Sequence, residues 1–253
     1  MSSTEPWQTG DELQRWDGYL LEDGRTLRNL VGAQAPGELR YIEDALVEAR
    51  ALTMREQGLP ATYDLDGLRS IHRHLFQDVY AWAGEPRTVG ILKGEVPFAA
   101  VDRIEPAMRE VADYIAATDN LRAVAPTDVA HALADVYAVV NHVHPFREGN
   151  GRVQREYLTA LARESGHHID WLAVSGAEND YASQAARNGD RAPMREMFAR
   201  VVSRAGAPAV STETAEAARL VNVSRSPASL QAGTTATARA PQRTVQRVPG
   251  LER

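Results

Sequence analysis

The sequence predicts an all-α domain, and three observations carry that reading. Apolar residues recur three and four apart along most of the chain, strand-like patterning is confined to one short stretch, and Gly and Pro fall where the periodic runs stop. The 253 residues suit one large domain or one domain with appendages, and the apolar fraction is ordinary for filling a core.

From Met1 to Gly37 the pattern is irregular, with aromatic anchors at Trp7, Trp16 and Tyr19, so residues 1–37 are expected to form a mostly extended lead-in packed on the domain. Leu39, Ile42, Leu46 and Ala49 begin the first helical stripe after Pro36 and Gly37, and Gly58 with Pro60 ends it. Leu68, Ile71, Leu75 and Val79 make a second stripe; Val101, Ile104, Met108, Val111 and Ile115 a third; Val129, Leu133, Val136, Val140 and Val143 a fourth. The β-branched stretch from Arg87 to Phe98, with Lys93 and Gly94 at its turn, reads as a short hairpin. Val153, Tyr157, Leu158 and Leu161 continue as a helix that Gly166 terminates, and further helices are expected near Glu178 to Ala186 and Pro193 to Val202. The main domain therefore spans residues 38–203. Residues 204–253 shift to Ala, Thr, Ser, Pro, Gln and Arg. Apart from a short helix expected at 212–221, they are read as a tail too poor in large apolar groups to order itself, with a basic end.

The formal net charge of −6 argues against a broad electrostatic grip on nucleic acid, and there is no cysteine. With no apolar run of membrane-spanning length and no basic-then-apolar leader, neither a membrane nor direct nucleic-acid binding is expected, and the cytoplasm is the expected compartment. The basic residues are almost all arginine. Lys93 is the only lysine, and its placement at the hairpin turn suggests a specific role, since ammonium and guanidinium are not interchangeable.

The stretch HPFREGNGRVQR, His144 to Arg155, concentrates the chemistry. If one helix ends near His144 and the next begins near Gly149 and Asn150, the turn lies over a helix N-terminus, whose unpaired N–H groups and positive dipole end attract phosphate oxygens. Gly149 and Gly151 would let a ligand reach the backbone. Arg152 and Arg155, three apart, are expected to project from one face and hold a polyphosphate. Glu148 beside phosphates calls for a bridging cation, and Mg²⁺ takes one or two carboxylates plus phosphate oxygens. His144, with an ordinary histidine pKa, is the candidate general base. Phe146 is expected to anchor the loop on the core.

HPFREGNGRVQR is identified at every fixed position with the signature of Fic-domain proteins, and the stretches LRNLVGAQAPGELRYIEDALVEAR and IHRHLFQDVYAWAGEPRTVGILKG resemble that family's lead-in, helix and flap. The resemblance implies the Fic fold, a helical bundle with a β-hairpin flap beside the active-site loop. It also implies an AMP transferase that moves AMP from ATP to a Tyr, Ser or Thr hydroxyl of a target protein. In those terms His144 takes the hydroxyl proton, and Glu148 holds Mg²⁺ between the α- and β-phosphates. The Gly149–Gly151 backbone is the anion hole, with Asn150 orienting the α-phosphate. Arg152 binds the β-phosphate and Arg155 the γ-phosphate. The flap with Lys93 and Gly94 pairs with the target as an added strand. Gly149-Asn150-Gly151 matches the AMP-transfer pattern rather than the Ala-Asn-Lys of a phosphotransferase branch, and Asn179 and Tyr181 are candidates for bordering the adenine.

Two rival readings remain at this point. One is a zinc hydrolase built on His142, His144 and His131; the other is a domain that binds the nucleotide without transferring it. The expected setting is a bacterial toxin restrained by a small antitoxin, with a secreted effector acting on host proteins as the alternative. Many Fic proteins carry an inhibitory helix with Ser or Thr, three residues, Glu, then Gly or Asn. The nearest stretch here, Thr212 to Ala217, has Ala217 in the last position, so the inhibitory glutamate is expected from a separate antitoxin rather than from Glu216.

Overall fold

Helix formation begins earlier than the apolar pattern indicates. In the computed structural model of the chain, which describes residues 5–57, 62–94 and 96–205, the lead-in is not mostly extended. A 3-10 turn at Pro6–Gln8 and helix α1 (Glu12–Gly18) come before the first long helix. The cause is a capping box: the Asp11 carboxylate accepts from the Gln14 backbone N–H at 2.9 Å, and Gln14 Oε1 accepts from the Asp11 N–H at 2.8 Å. Trp7, Trp16 and Tyr19 are buried in the same core as the long helices.

Those helices are α2 (Pro36–Gln57), α3 (Leu65–Phe76), α4 (Ile104–Ala117), α5 (Val129–Val143), α6 (Asn150–Glu164), α7 (Gly176–Arg187) and α8 (Ala192–Val201). α5 packs against α4, α6, α7 and α8, which explains why its sequence is apolar nearly all round. α3 packs against α2, α4 and α6. It stops at Phe76, so Val79 is buried in the following turn rather than on the helix, and Val101 falls in a 3-10 turn before α4. The fold is all-α, as expected, and none of the described helices is long and apolar enough to cross a membrane.

The hairpin is shorter than Arg87 to Phe98. Strands β1 (Leu92–Lys93) and β2 (Val96–Pro97) pair antiparallel, with Leu92 opposite Pro97 and Lys93 opposite Val96. A second pair, β3 (His167–Ile169) with β4 (Val202–Arg204), was not expected from a sequence too short there for alternation to register. It carries the fold past Ser203, and the Ala205 N–H donates to the Gly166 carbonyl at 2.8 Å. The expected end of α2 at Gly58 and Pro60, the helix at 212–221, Glu216 and the tail beyond Val223 lie outside the described residues.

Two buried polar side chains fix the loop from His144 to Gly149 to this frame. Arg87, 1% exposed, donates from Nε to the His144 carbonyl at 2.9 Å and from its terminal nitrogens to Val143 at 3.2 Å, Val89 at 2.8 Å and Ala99. It thus satisfies carbonyls at the C-terminus of α5 and on both sides of the hairpin, where a cation also complements the helix dipole. Its pKa is lowered to about 10 by burial, and it is still cationic at neutral pH. His72 on α3 accepts from the Gly84 N–H at Nδ1 (2.8 Å) and therefore donates from Nε2 to the Glu148 carbonyl (3.1 Å). Gly84 sits at φ +84°, and a Cβ there would meet Arg73 at 2.9 Å, so this turn requires glycine.

Arg87→Met is expected to destabilise the fold by about 3 kcal/mol, because several buried carbonyls lose their donor; urea unfolding measures it, and a loss under ~1 kcal/mol would contradict the role. His72 is pushed down to about 3 by burial. It is neutral in the folded chain while an unfolded histidine protonates near 6.5, so stability is complete above that pH and falls as pH drops towards 3. Between pH 6 and 4.5 the unfolding free energy of His72→Phe is expected to fall less steeply than that of the wild type, by about 1 kcal/mol per pH unit. Parallel pH dependences in the two proteins would rule out His72 as the source.

Candidate active site

His144 is the residue on which α5 ends, in the left-handed region at φ 46° and ψ 63°. That conformation is strained for a non-glycine residue, by roughly 1 kcal/mol, and is held by the Arg87 bond to its carbonyl and by its own N–H donating to Val140 at 3.1 Å. His144 Nδ1 lies 3.1 Å from the Asn141 carbonyl, so Nδ1–H donates and Nε2 carries the lone pair. The ring stacks on Phe98 with centroids 3.9 Å apart and planes at 14°. The expected ordinary pKa is corrected here. Burial pushes it down to about 3, the charges of Arg87, Arg187 and Lys93 push the same way, and the Asn141 bond opposes them. His144 is therefore neutral at pH 7 and presents a free lone pair.

α6 begins at Asn150, capped by Gly149 at φ +83°. A Cβ on Gly149 would meet the Phe76 ring at 2.3 Å, so this glycine exists to pack the loop on α3. Gly151 is the open one: a Cβ there would meet nothing within 4 Å. Asn150 is spent on the loop itself, its Oδ1 accepting from the Phe146 N–H at 2.9 Å and its Nδ2 donating to the Phe146 carbonyl at 2.8 Å. In this geometry its side chain braces the turn instead of reaching a phosphate. What faces an anion is the start of the helix, whose Asn150 and Gly151 N–H groups carry no backbone bond among the described residues. Phe146 is fully buried and stacks on His72 at 4.0 Å. Arg147, at one of the variable motif positions, lies over the Trp16 ring at 4.5 Å and ties α1 to the loop.

The two motif arginines diverge rather than share a face. Arg152 turns to α2, where it binds Glu43 and, at 3.3 Å, Asp44, with its guanidinium 4.8 Å over the Phe76 ring. Glu43 also accepts from Tyr80, and burial raises its pKa despite the pull of Arg152. Arg155 is exposed and lies 5.8 Å over Trp171, with no carboxylate within 4 Å among the described residues. Glu148 sits between loop and helix, accepting from the Gly149 N–H at 2.9 Å and 3.7 Å from Arg152. A single partly exposed carboxylate beside a phosphate-facing helix start is a donor set that fits Mg²⁺, which fills its remaining positions with phosphate oxygens and water.

Lys93 donates to Asp180 on α7 at 2.6 Å, bridging flap and helix, and Gly94 holds the hairpin turn at φ +63°. Asn179 accepts from the buried Tyr137 hydroxyl at 2.9 Å, while Tyr181 is 66% exposed. His131 and His142 lie eleven residues apart on α5, about 16 Å along the axis. Among the described residues no three His, Asp or Glu side chains are grouped to hold a metal ion, so the zinc arrangement is not assembled. Sequence reasoning missed His72, Arg87, Glu43, Phe98 and Arg187. Of these, Glu43 had a faint signal as a charge on the apolar side of α2, next to Ile42 and Leu46.

Comparison with known proteins agrees with this geometry. The Fic/DOC family profile matches residues 62–162. The chain is 33% identical over 184 residues to the protein adenylyltransferase VbhT of Bartonella schoenbuchensis, a match covering 73% of this chain but only 38% of that protein. It is 31% identical over 190 residues to "Probable protein adenylyltransferase Fic" of Escherichia coli, covering 75% of this chain and 94% of the relative. Among solved structures, the N-terminal Fic domain of a cell filamentation protein from Bartonella quintana, with bound ADP, superposes with a TM-score of 0.70 at 27% identity, covering 74% of this chain and 95% of that one. BepC of Bartonella tribocorum, with bound AMPPNP, gives 0.69 at 27% identity over 74% and 97% of the two chains. With the signature loop folded over a helix N-terminus and the likeness running through nearly the whole of the Escherichia coli relative, the chain belongs to the Fic/DOC family.

Proposed function

We propose that this chain is a protein adenylyltransferase that moves AMP from ATP to a hydroxyl of a protein target. The observation that carries the reading is His144: a neutral imidazole with Nδ1 tied to the backbone and Nε2 free, set beside the open start of α6. Relatives matched over more than nine-tenths of their own length are named "Probable protein adenylyltransferase", and related Fic domains hold ADP and AMPPNP.

The arrangement supports one proton transfer and one displacement. The α-phosphate lies against the first N–H groups of α6, where the dipole favours negative charge. His144 Nε2 takes the acceptor hydroxyl proton while the acceptor oxygen bonds to the α-phosphorus. The bond from that phosphorus to the bridging oxygen breaks, and pyrophosphate leaves towards Arg152 and Arg155. A low pKa keeps the base unprotonated before reaction, and the charge of the bound polyphosphate raises its affinity for the proton when transfer occurs. Mg²⁺ at Glu148 would neutralise charge on the α- and β-phosphates. Glu43 and Asp44 fix Arg152 in place, so it meets the nucleotide with little rotamer freedom left to lose.

Restraint is proposed to come in trans, from a small antitoxin whose glutamate reaches Arg155. That guanidinium is exposed and free of carboxylates among the described residues. A toxin of this kind would act in the cytoplasm; an effector delivered to a host cell would use the same chemistry.

His144→Ala is expected to bind Mg-ATP normally by calorimetry yet lose about 10²–10⁴-fold in AMP transfer from labelled ATP. Glu148→Ala should transfer weakly and respond poorly to added Mg²⁺. Near-normal labelling by His144→Ala would remove the base assignment, and full activity of Glu148→Ala with EDTA present would remove the metal. For restraint, the full chain is compared with a chain ending at Ala205, which keeps β4 whole, and with Glu216→Gly. Similar self-modification in all three is expected. A strong rise in both variants would place the inhibitory group in this chain and end the antitoxin proposal.

A further inference from the structure

Two of the charged residues of α7, Asp180 and Arg187, stand seven apart and so on one side of the helix two turns apart. Both meet the flap. Asp180 takes Lys93 of β1, and the Arg187 guanidinium lies 5.0 Å over Phe98, the residue that follows β2 and stacks on His144. Here the two ends differ. The Lys93 charge is answered by Asp180. No carboxylate lies within 4 Å of Arg187 among the described residues, and its Nε is shut off from solvent with no acceptor. Arginines nearby are paired: Arg191 and Arg195 with Asp135, and Arg200 with Glu178.

A half-buried guanidinium with an idle donor is unfavourable in the free protein, and burial lowers its pKa against the pull of Asp180. Packing Phe98 alone would be served by an apolar side chain. The charge also lies on a particular side of the site. Arg152 faces Glu43 and Glu148 on the α2 side, whereas Arg187 lies over Phe98, whose ring stacks on His144 where the flap and the base meet. In the adenylyl-transfer reading the phosphates lie against the start of α6, which leaves the flap side of His144 for the acceptor hydroxyl. We infer that Arg187 is a recognition site for a carboxylate on the acceptor segment, so that the preferred hydroxyl has an Asp or Glu within a few residues of it. The inference rests on the adenylyl-transfer reading and adds a rule for choosing the acceptor. An extended segment laid along the flap would bring a flanking carboxylate between β2 and α7, giving Arg187 the charge-assisted bond it lacks.

The test uses the full chain, labelled ATP with Mg²⁺, and degenerate peptide libraries with a central Tyr, Ser or Thr and randomised flanks. Peptides labelled by the wild type are expected to show at least about fivefold enrichment of Asp or Glu at one or more flanking positions, a bias of the size a single charge-assisted contact gives. Arg187→Glu should lose that bias or turn it towards Lys and Arg, Arg187→Lys should keep part of it, and both should bind AMPPNP within about twofold of the wild type. The inference is overturned if wild-type labelling shows no acidic bias, if Arg187→Glu keeps the bias, or if Arg187→Glu weakens AMPPNP binding about tenfold, which would make the cation a nucleotide ligand. Self-modification without any labelled peptide would also end it, since local sequence would not govern the choice. No label on peptides or on the protein itself would sink the adenylyl-transfer reading, and the acceptor rule with it.

Discussion

The buried guanidinium of Arg87 joins three pieces of chain at one point: the C-terminus of α5, the approach to the flap, and the segment that leaves it. A helix end leaves its last carbonyls without partners, and here the chain turns sharply into the left-handed region at His144, so water or a side chain must supply the missing donors. Arginine answers with a planar fork that no other residue matches, and it does so from the core, where its bonds are not diluted by solvent. The Arg87 N–H adds a bond to the Pro145 carbonyl at 2.8 Å, and the Ala99 N–H one to His142 at 3.0 Å. The base and the flap are thus held to a common point, and a shift in one is felt by the other.

A second set of polar groups makes the loop rigid without touching the reaction. His72 bridges the turn at Gly84 to the Glu148 carbonyl, Asn150 closes on Phe146, and the Phe146 ring lies on His72. Both His72 nitrogens and both polar atoms of the Asn150 amide are engaged within the protein. Unused capacity is found on other groups, among them Nε2 of His144, the first N–H groups of α6, Arg155 and Arg187, besides the buried Arg147 Nε and Gln154 Oε1. Residues of one twelve-residue stretch therefore divide between bracing and chemistry. The division cannot be made from residue type, because an asparagine in a loop serves either purpose equally well.

That limit shows how far the sequence could be read. Periodicity located the core helices, since burial of a stripe repeats every three to four residues and leaves a pattern in any helix that packs on one side. The site loop was legible because its residues are adjacent in the chain and each has a recognisable chemistry. What escaped depends on contacts across long separations. Arg87 reads as a surface charge until the α5 terminus is placed beside it, fifty-seven residues on. Glu43 lies 109 residues from the Arg152 it binds. α1 was missed because its signal is a capping box without an apolar stripe, and β3 with β4 because a three-residue strand shows no period. The pKa of His144 was misjudged for a related reason: a sequence names the titrating group but not the depth at which the fold sets it.

The distribution of paired and unpaired cations around His144 gives the site a direction. Arg152 and Lys93 are each tied to carboxylates, on α2 and α7 respectively, so their charges are largely spent on holding the helix start and the flap in place. Arg155 and Arg187 are not so tied. They come from α6 and α7 and stand over different aromatic rings, Trp171 and Phe98. A displacement at the α-phosphorus has an entering and a leaving oxygen on opposite sides, and negative charge accumulates on the leaving side while the entering side must first shed a proton. A free cation near the leaving phosphates favours that charge. Near His144, the charge of Arg187 pushes the imidazole pKa the same way as burial, which is the larger cause. In the proposed reaction the same residue type would serve both ends, and what separates the two arginines is the helix each comes from and the ring it rests on.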